Sequence, residues 1–312
     1  MQIEDLKLIL KVADCKSITV AATKLDMRVA TASAAIKRVE SELGIDLFVR
    51  TTRHLRLSAA GERYIPQCEQ ALLLLDHARQ NLKGEHDEIE GELRVALSSD
   101  LGRNLVIPWI DELMDQFPNL SVRTHISDSN IDFYRDSVDI ALRYGSPTDA
   151  TMYGFKICQM PRLLCASQEY LVHHARPAHP DDLSQHEGLF YQLQDRINDV
   201  WQFTDGSNTY KVKMQGRRAA NDGDLVRRWC LAGKGLAVKS ALDFADDLLN
   251  ERVVPVMPDF PHISCELWLI CPSRQSITPA VRLLRDVCRE KSAYLLNQLV
   301  DKGIIDKQSI TF

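Results

Sequence analysis

The chain has 312 residues, of which 45% are hydrophobic and 26% charged, and its formal net charge is -5. At roughly 150 residues per domain this length favours two domains, or one small and one large, and the composition excludes a disordered or fibrous protein. No run approaches the roughly 18 consecutive apolar residues of a membrane span, and charges interrupt the N-terminal stretch where a signal peptide is apolar, so we expect a cytoplasmic protein with no membrane partner.

Charge is distributed unevenly along the chain. The first 63 residues hold 11 Lys or Arg and 8 Asp or Glu, a net charge of +3, whereas the remainder carries -8. Because local charge steers association, a basic N-terminal part on an acidic body indicates an anionic partner for that part alone. Chance clustering of basic residues on a solvated surface is the alternative, and the charge count does not separate the two.

The N-terminal part is predicted to contain three short helices. Apolar residues recur with helical spacing over residues 3–15, and Ser17 is suited to cap a second helix that runs to Leu25. After a break at Asp26, a third helix ends at Gly44, a residue type favoured at helix C-termini. Spacings of four, three and four give this third helix a core-facing stripe of Ala32, Ile36, Val39 and Leu43.

The opposite face of the third helix carries small and basic side chains. Two short helices joined by a tight break, the second with such a face, are typical of a helix-turn-helix whose second helix enters the DNA major groove. Short strands over residues 47–49 and 55–57 would add a wing with a basic tip. A three-helix interaction module with a basic surface is the alternative. The predicted DNA-binding residues are Arg28, Val29, Ala30, Ser33, Ala34, Lys37, Arg38, Arg50, Thr51 and Arg53.

This part of the sequence resembles the DNA-binding head of LysR-type transcriptional regulators. The resemblance lies in residues 17–22 (SITVAA), 36–50 (IKRVESELGIDLFVR) and 57–62 (LSAAGE). It implies a winged helix-turn-helix DNA-binding domain over residues 1–58, with double-stranded DNA as the partner. Family recognition helices usually open with Ser-Gln-Pro, and Arg28, Val29 and Ala30 hold those positions here. An apolar valine suits the methyl group of thymine, and the phosphate contacts would come from Arg28, Lys37 and Arg38.

Residues 59–90 are predicted to form one long linker helix. The seam positions recur at alternating steps of three and four, with Arg79 and His86 at two of them and apolar residues at the others. About 31 helical residues would span roughly 46 Å. The small head cannot cover so long a seam, so a helix from a second copy is the simplest cover; packing on the same chain's large domain is the alternative. In the resemblance two subunits pair through this helix, which implies a dimer and a tetramer made of two dimers. The seam residues are Ile65, Cys68, Leu72, Leu75, Leu82 and Ile89.

Beyond residue 90, β-type runs alternate with helical ones, which predicts an α/β domain with mainly parallel strands. Strands are expected over 93–97, 120–123, 138–143, 162–166, 188–191, 236–239 and 267–271, and helices over 102–117, 222–232, 242–250 and 279–299. Stretches such as 138–145 (VDIALRYG) and 233–237 (GKGLA) resemble the effector-binding domain of the same family. The resemblance implies a periplasmic-binding-protein-like domain over 91–312, built of two Rossmann-like subdomains, I (91–160 and 265–300) and II (161–264), with crossovers near Met160 and Ser264.

A ligand cleft is expected between these subdomains, because ligands on α/β sheets collect where strand carboxyl ends meet helix N-termini. Ser98, Ser99 and Asp100 follow the first strand and suit a small anion or polar ligand, with helix capping as the alternative role. Arg143, at another strand end, favours a small-molecule effector with a carboxylate. The candidate effector-binding residues are Ser98, Ser99, Asp100, Arg143, Tyr144, Gly145, Asn221 and Asp222, and all but Asp100 match the family's cleft edges by position.

No sequence motif supports catalysis. The chain has no phosphate-binding loop, dinucleotide fingerprint, serine-nucleophile elbow or zinc-protease helix, so we predict no enzyme activity, no cofactor and no metal. The eight cysteines form no C-x-x-C pair and indicate reduced core thiols. The favoured function is a ligand-responsive LysR-type regulator that binds pseudo-palindromic operator DNA as a dimer or tetramer. The alternative is a small-molecule-binding protein or enzyme on the same α/β body, with the head as an oligomerisation module.

Overall fold

The computed structural model describes residues 1–50, 55–80, 89–129, 131–133, 136–147, 149, 151–193 and 196–312. The chain divides into an N-terminal unit, residues 1–86 with 132–137, and a C-terminal unit, residues 87–131 with 138–312. In the ranges that the structure describes, no helix combines the length and the apolar character that crossing a membrane requires.

The described part of the N-terminal unit consists of helices and a two-stranded wing. Its elements are α1 (Ile3–Cys15), α2 (Ile18–Lys24), α3 (Val29–Leu43), β1 (Phe48–Arg50), β2 (Leu55–Leu57) and α4 (Ala59–Gln80). The two strands pair antiparallel, with Phe48 opposite Leu57. The predicted winged helix-turn-helix is therefore confirmed, although the first wing strand begins one residue later than expected.

Local interactions fix the ends of these helices. The Ser17 hydroxyl accepts a hydrogen bond at 3.3 Å from the backbone N–H three residues on, and Gly44 ends α3 with a φ of +70°, a conformation that favours glycine. The Glu40 carboxylate accepts hydrogen bonds from the backbone N–H groups of Leu47 at 2.9 Å and Phe48 at 3.1 Å. These bonds hold the start of the wing against α3.

The predicted apolar stripe of α3 faces the core of the N-terminal unit. Ala32, Ile36 and Val39 are buried in this core. At the start of α4, a Cβ atom added to Gly61 would stand 2.2 Å from the carbonyl oxygen of Leu47. Glycine is the residue that permits this approach, and it places α4 directly against the wing.

The linker helix is described over 22 residues, which span about 33 Å. Leu72 is half-buried and Leu75 is 50% exposed, whereas Leu82 lies outside the described residues. Ile89 and Glu90 are not helical, so the prediction of helix up to residue 90 was wrong at its end. The reason is that β3 begins at residue 91, and Ile89 already packs against the core of the C-terminal unit.

The C-terminal unit is an α/β domain of two subdomains. Residues 91–160 form β3 (Gly91–Leu97), α5 (Ser99–Leu101), a π-helical stretch (Gly102–Val106), α6 (Ile107–Gln116), β4 (Leu120–Ile126), β5 (Ile140–Tyr144) and β6 (Tyr153–Met160). Subdomain II contains β7 (Arg162–Ser167), α7 (Gln168–His173), β8 (Glu187–Leu193), β9 (Arg196–Ile197), β10 (Val200–Thr204), β11 (Thr209–Lys213), β12 (Gln215–Ala220), α8 (Gly223–Leu231), β13 (Ala237–Ser240), α9 (Ala245–Leu249) and β14 (Val253–Pro255). The chain then returns to subdomain I with β15 (Cys265–Cys271) and α10 (Pro279–Asp301).

Four of the five strands in the sheet of subdomain I run in one direction, as predicted, whereas the described strands of subdomain II form three smaller sheets. The sheet of subdomain I has the order β4-β3-β5-β15-β6, and β15 alone runs against its neighbours. In subdomain II, β7 runs against both β13 and β14, while β8 and β12 are parallel. β7 and β15 are the strands that the chain enters after crossing between subdomains. A direct crossing without a helical return explains why these two are reversed.

The helix predicted over residues 102–117 begins earlier than expected. Helical structure starts at Ser99, and the Gly102 N–H donates to the Ser98 carbonyl oxygen at 2.8 Å. Ser99 and Asp100 therefore lie within the first turn and not before it. The Ser98 side chain occupies the N-cap position but forms no capping hydrogen bond.

Candidate functional site

The outer face of α3 presents small and basic side chains to solvent. Val29 is 41% exposed, although it is apolar. Ser33 is half-buried, and Thr31, which the sequence reasoning omitted, is exposed beside Ala30. The other predicted residues of this helix are also exposed, namely Arg28, Ala30, Ala34, Lys37 and Arg38. An exposed face of this composition can approach a polyanion closely.

Three of the predicted basic positions, Arg38, Arg50 and Arg53, differ from the exposed residues of α3. The Arg38 guanidinium forms an ion pair with Asp5 of α1, whose side chain is buried, so part of its charge is already neutralised within the head. The side chain of Arg50, and residues Thr51 and Arg53, lie outside the described residues. Phosphate contacts by these wing residues therefore stay predictions.

A cavity of about 250 Å³ lies between the subdomains of the C-terminal unit. The carboxyl ends of β3 and β5 contribute four of the predicted effector residues to its lining, namely Ser98, Asp100, Arg143 and Tyr144. Subdomain II contributes the start of β7 and the end of β13. Much of the wall is apolar, and includes Leu97, Ile131, Leu142, Leu189, Trp201, Val226 and Val238.

The other four predicted effector residues lie beside this cavity but do not line it. Ser99 is buried, and Gly145 ends β5 with a φ of +94°. Asn221 is exposed. Asp222 caps α8 and accepts a hydrogen bond from Arg103 at 2.9 Å.

A buried ion network joins the two subdomains at the cavity. Lys239, whose side chain is 9% exposed, forms an ion pair with Asp100 and lies 3.6 Å from the Asp243 carboxylate. Its ammonium donates a hydrogen bond to the Gly223 carbonyl oxygen at 3.0 Å. The Tyr144 hydroxyl donates to Asp243 at 2.6 Å. Asp100 and Tyr144 of subdomain I are thus tied to Lys239 and Asp243 of subdomain II.

Burial governs the protonation of this network. It raises the pKa of the Asp100 carboxyl to about 7, although the Lys239 ammonium opposes the change. Burial also disfavours the charged form of Lys239, but Asp100 and Asp243 outweigh that effect and hold the pKa of Lys239 above its usual value. Burial and the Asp243 charge raise the pKa of Tyr144 well above its usual value, which keeps its hydroxyl a donor.

A second set of hydrogen bonds, which does not involve Lys239, also joins the two subdomains. The Ser99 hydroxyl and N–H both donate to the Asp128 carboxylate at 2.6 Å. The Gly223 N–H donates to the Ser99 hydroxyl oxygen and to Asp128, both at 2.8 Å. The Asn104 amide donates to Asp224 at 2.8 Å. Ser99 therefore supports the contact between subdomains and does not face the cavity.

The sequence reasoning missed four charged residues that line the cavity. They are Asp128, Arg162, Lys239 and Asp243. Lys239 lies at the end of the strand predicted over residues 236–239. The rule that ligands bind at the carboxyl ends of strands, which was applied to β3 and β5, would therefore have identified it. No local signal pointed to Arg162 at the start of β7.

Replacing Asp100 with asparagine should remove a pH dependence from unfolding of the C-terminal unit. Because the pKa of Asp100 is raised to about 7, the folded state holds this proton between about pH 4 and pH 7, whereas the unfolded state releases it. Its contribution to stability is therefore present at low pH and declines as pH rises, by up to about 1.4 kcal/mol per pH unit. Thermal unfolding of both proteins across this range measures the effect. If the unfolding free energies of the two proteins changed equally with pH, the raised pKa of Asp100 would be contradicted.

Within the described ranges, the histidine and cysteine side chains form no metal site and no reactive thiol site beside the cavity. There, no three His, Cys, Asp or Glu residues are placed to hold a metal ion. Burial raises the pKa of the Cys158 thiol to about 12 and that of Cys165 well above its usual value, which suppresses thiolate reactivity. His186 is buried, with its Nδ1 3.0 Å from the Tyr170 hydroxyl, a contact within the protein core.

Both units match known protein families. Residues 3–62 match the bacterial regulatory helix-turn-helix protein, lysR family, and residues 86–293 match the LysR substrate binding domain. The HTH-type transcriptional regulator DmlR of Escherichia coli is 27% identical over 288 residues, which cover 92% of this chain and 94% of that protein. The HTH-type transcriptional activator AaeR of Escherichia coli is 30% identical over 227 residues, 73% of each chain.

Solved structures of full-length proteins resemble this chain in fold. The full-length Vibrio cholerae virulence activator AphB, a member of the LTTR protein family, is 26% identical, with a TM-score of 0.57 over 92% of this chain and 98% of that chain. CrgA, a LysR-type transcriptional regulator from Neisseria meningitidis, is 23% identical, with a TM-score of 0.60 over 93% of this chain and 99% of that chain. At 23% identity, the similarity to CrgA concerns the fold alone.

Proposed function

This chain belongs to the LysR family of DNA-binding transcriptional regulators, and from that premise we propose that it binds a pseudo-palindromic operator as a dimer or as a tetramer of two dimers. A small effector that carries a carboxylate would occupy the cavity between the subdomains and change how the protein acts on DNA. The protein would work in the cytoplasm, by binding and not by catalysis.

The exposed face of α3 is the observation that carries the DNA-binding proposal. Its small residues, Ala30 and Ala34, permit close approach to base edges, and Val29 offers an apolar contact to a thymine methyl group. Arg28 precedes the first residue of α3 and Lys37 lies within the helix, and both are exposed, so both would contact phosphates. Side chains of α3 would therefore contact only a few bases directly, and the shape of the DNA and phosphate contacts would supply most of the affinity.

The linker helix α4 supports assembly into dimers. Leu75 is 50% exposed and lies on the heptad seam predicted from the sequence. A matching helix from a second copy would bury this seam. Two-fold pairing would then present two α3 helices to half-sites separated by one or more turns of DNA.

The cavity supports a response to a small carboxylate. Arg143, Arg162 and Lys239 line it with positive charge. The contacts that join Asp100 to Lys239 and Tyr144 to Asp243 cross between subdomains, so a ligand placed among them would act on both at once. An effector shifts the regulator only if it binds one arrangement of the protein more tightly than another.

Footprinting on the DNA upstream of the protein's own gene tests the proposal. Purified protein should protect two segments whose centres lie about 10.5 base pairs or a multiple apart, and a carboxylate metabolite should alter the pattern. Light scattering on the same preparation gives the oligomeric state. Protection of a single half-site by a monomer, unaffected by any carboxylate, would contradict the proposal.

A further inference from the structure

The cationic side chains that line the cavity differ in how fully the protein itself engages them. Lys239 is held by Asp100, by Asp243 and by the Gly223 carbonyl oxygen. Arg143 has an interaction partner of its own. A ligand carboxylate would have to compete with these existing contacts to bind either residue.

Arg162 differs from Lys239 and Arg143 in its surroundings. It opens β7, is half-buried, and lies opposite Ser240 in the pairing of β7 with β13. Its guanidinium lies beside the Cys265 thiol, whose pKa burial raises to about 11, so this neighbour is neutral near pH 7. In the described ranges no Asp or Glu oxygen lies within 4.0 Å of its guanidinium nitrogens. Arg162 thus faces the cavity as a cation that no described carboxylate neutralises.

A polar group of subdomain I also faces the cavity without a described partner. The Ser98 hydroxyl oxygen is buried and forms no hydrogen bond to any residue that the structure describes. Buried hydroxyl groups are normally paired, so this one is available to a ligand. Ser98 and Arg162 belong to different subdomains, and a molecule that contacts both would hold the subdomains together.

Size, charge and wall composition restrict the ligand further. The cavity of about 250 Å³ is smaller than the roughly 300–1,000 Å³ of sites for drug-sized ligands, so the ligand is small. Asp100, Asp128 and Asp243 face the three cations in the lining, and because the pKa of Asp100 is about 7, the formal charge of the lining lies between 0 and +1 near neutral pH. One added negative charge is therefore easier to accommodate than two in this half-enclosed site. The apolar wall residues favour a hydrocarbon body over a polyol.

We propose that Arg162 binds the carboxylate of a monocarboxylate effector with an apolar body. This inference rests on the proposed regulatory function and assigns the ligand class and the anchoring residue of its cavity. The Ser98 hydroxyl would donate a second hydrogen bond to the carboxylate, and the hydrocarbon body would lie against the apolar wall.

Calorimetric titration of the full-length protein tests the ligand class without a variant. The probes are benzoate and hexanoate, their neutral amides benzamide and hexanamide, and the dicarboxylate succinate. At least one monocarboxylate should bind about tenfold or more tightly than its amide, because the amide cannot form a charged hydrogen bond with Arg162. Succinate should bind more weakly than that monocarboxylate. Equal binding of acid and amide, or no binding of either acid at about 10 mM, would overturn the proposal.

Variants then test the residue. Arg162→Met should bring the affinities of acid and amide to within about threefold of each other, and Arg162→Glu should favour benzylamine over benzoate. Arg217→Met is the matched control, since Arg217 lies in the same subdomain with an 84% exposed side chain, and it should retain the wild-type preference. An unchanged preference in a folded Arg162→Met protein would also overturn the assignment.

A gel-shift assay on the upstream DNA separates this inference from the function on which it rests. If the protein binds the fragment and responds to a neutral or cationic metabolite but to no carboxylate, the Arg162 assignment and the carboxylate effector are wrong, whereas DNA binding under the control of a ligand is retained. If the protein does not bind the fragment even at low salt, the proposed regulatory function is wrong, whether or not benzoate binds in the cavity.

Discussion

Ala34→Glu should weaken operator binding by about 100-fold or more while leaving the fold of the N-terminal unit intact. Ala34 is exposed on the face of α3 that carries Ala30 and Lys37, and glutamate is a good helix former at an exposed site. A carboxylate placed there would face DNA phosphates and base edges, and juxtaposed like charges cost several kcal/mol. Fluorescence anisotropy with a labelled operator fragment, measured at two salt concentrations, gives the change in affinity.

A matched substitution far from α3 provides the control. Ala175→Glu adds the same charge at an exposed position of subdomain II, so it should change DNA affinity by less than about threefold. Lys37→Ala should weaken binding to all sequences alike and reduce the salt slope by about one. If Ala34→Glu bound the operator like the wild type, α3 would not be the recognition helix.

Much of the N-terminal unit could be predicted because its determinants are local. The cap at Ser17, the ending at Gly44 and the stripe that includes Ile36 and Val39 are encoded within a few residues of the elements they define. The role of Asp5 was not predictable in this way. Its ion pair with Arg38 joins residues 33 positions apart, and helix periodicity carries no information about such a partner.

The strands of subdomain II were harder to predict than those of subdomain I. β6 of subdomain I was missed, and so were β9, β10, β11, β12 and β14 of subdomain II. β11 alternates exposed Lys211 and Lys213 with half-buried Tyr210 and Val212, a pattern that is typical of a half-buried strand and that could have been recognised, whereas β12 has few buried side chains. Trp201 and Phe203 of β10 are nevertheless buried in the core of this subdomain. Pairing with β11, which supplies the hydrogen bonds of β10, is a contact between strands that single-strand patterns do not reveal.

The cavity illustrates the same limit for a functional site. Residues at the ends of β3 and β5 could be placed there from the general rule for α/β sheets, and Ser98 and Tyr144 do line it. Asp128 was missed because β4 extends three residues beyond its predicted end at residue 123. Arg162 was missed because it starts a strand, and the rule concerns strand ends. The reversed direction of β7 brings its start to the cavity edge.

Lys239→Met should destabilise the C-terminal unit by about 3–5 kcal/mol at pH 8. Removing one partner of a buried ion pair leaves the other charge uncompensated, and Asp100 and Asp243 would both lose the ammonium that now lies between them. Methionine has a similar length, so loss of packing is a minor contribution. Urea unfolding followed by circular dichroism measures the change, with Lys213→Met, 78% exposed, as a control that should stay within about 0.5 kcal/mol of the wild type.

The pH dependence of this loss identifies its cause. With Lys239 the pKa of Asp100 is about 7, and since the ammonium lowers that value, its removal should raise it further. At pH 5 the carboxyl is protonated and needs no counterion, so the destabilisation should shrink there and grow as pH rises. Asp100→Asn combined with Lys239→Met should recover about 1–3 kcal/mol at pH 8, because the asparagine keeps an acceptor for Asn104 without a charge. A loss that is independent of pH, or a double variant as unstable as the sum of the single ones, would mean that Lys239 acts through packing and not through its charge.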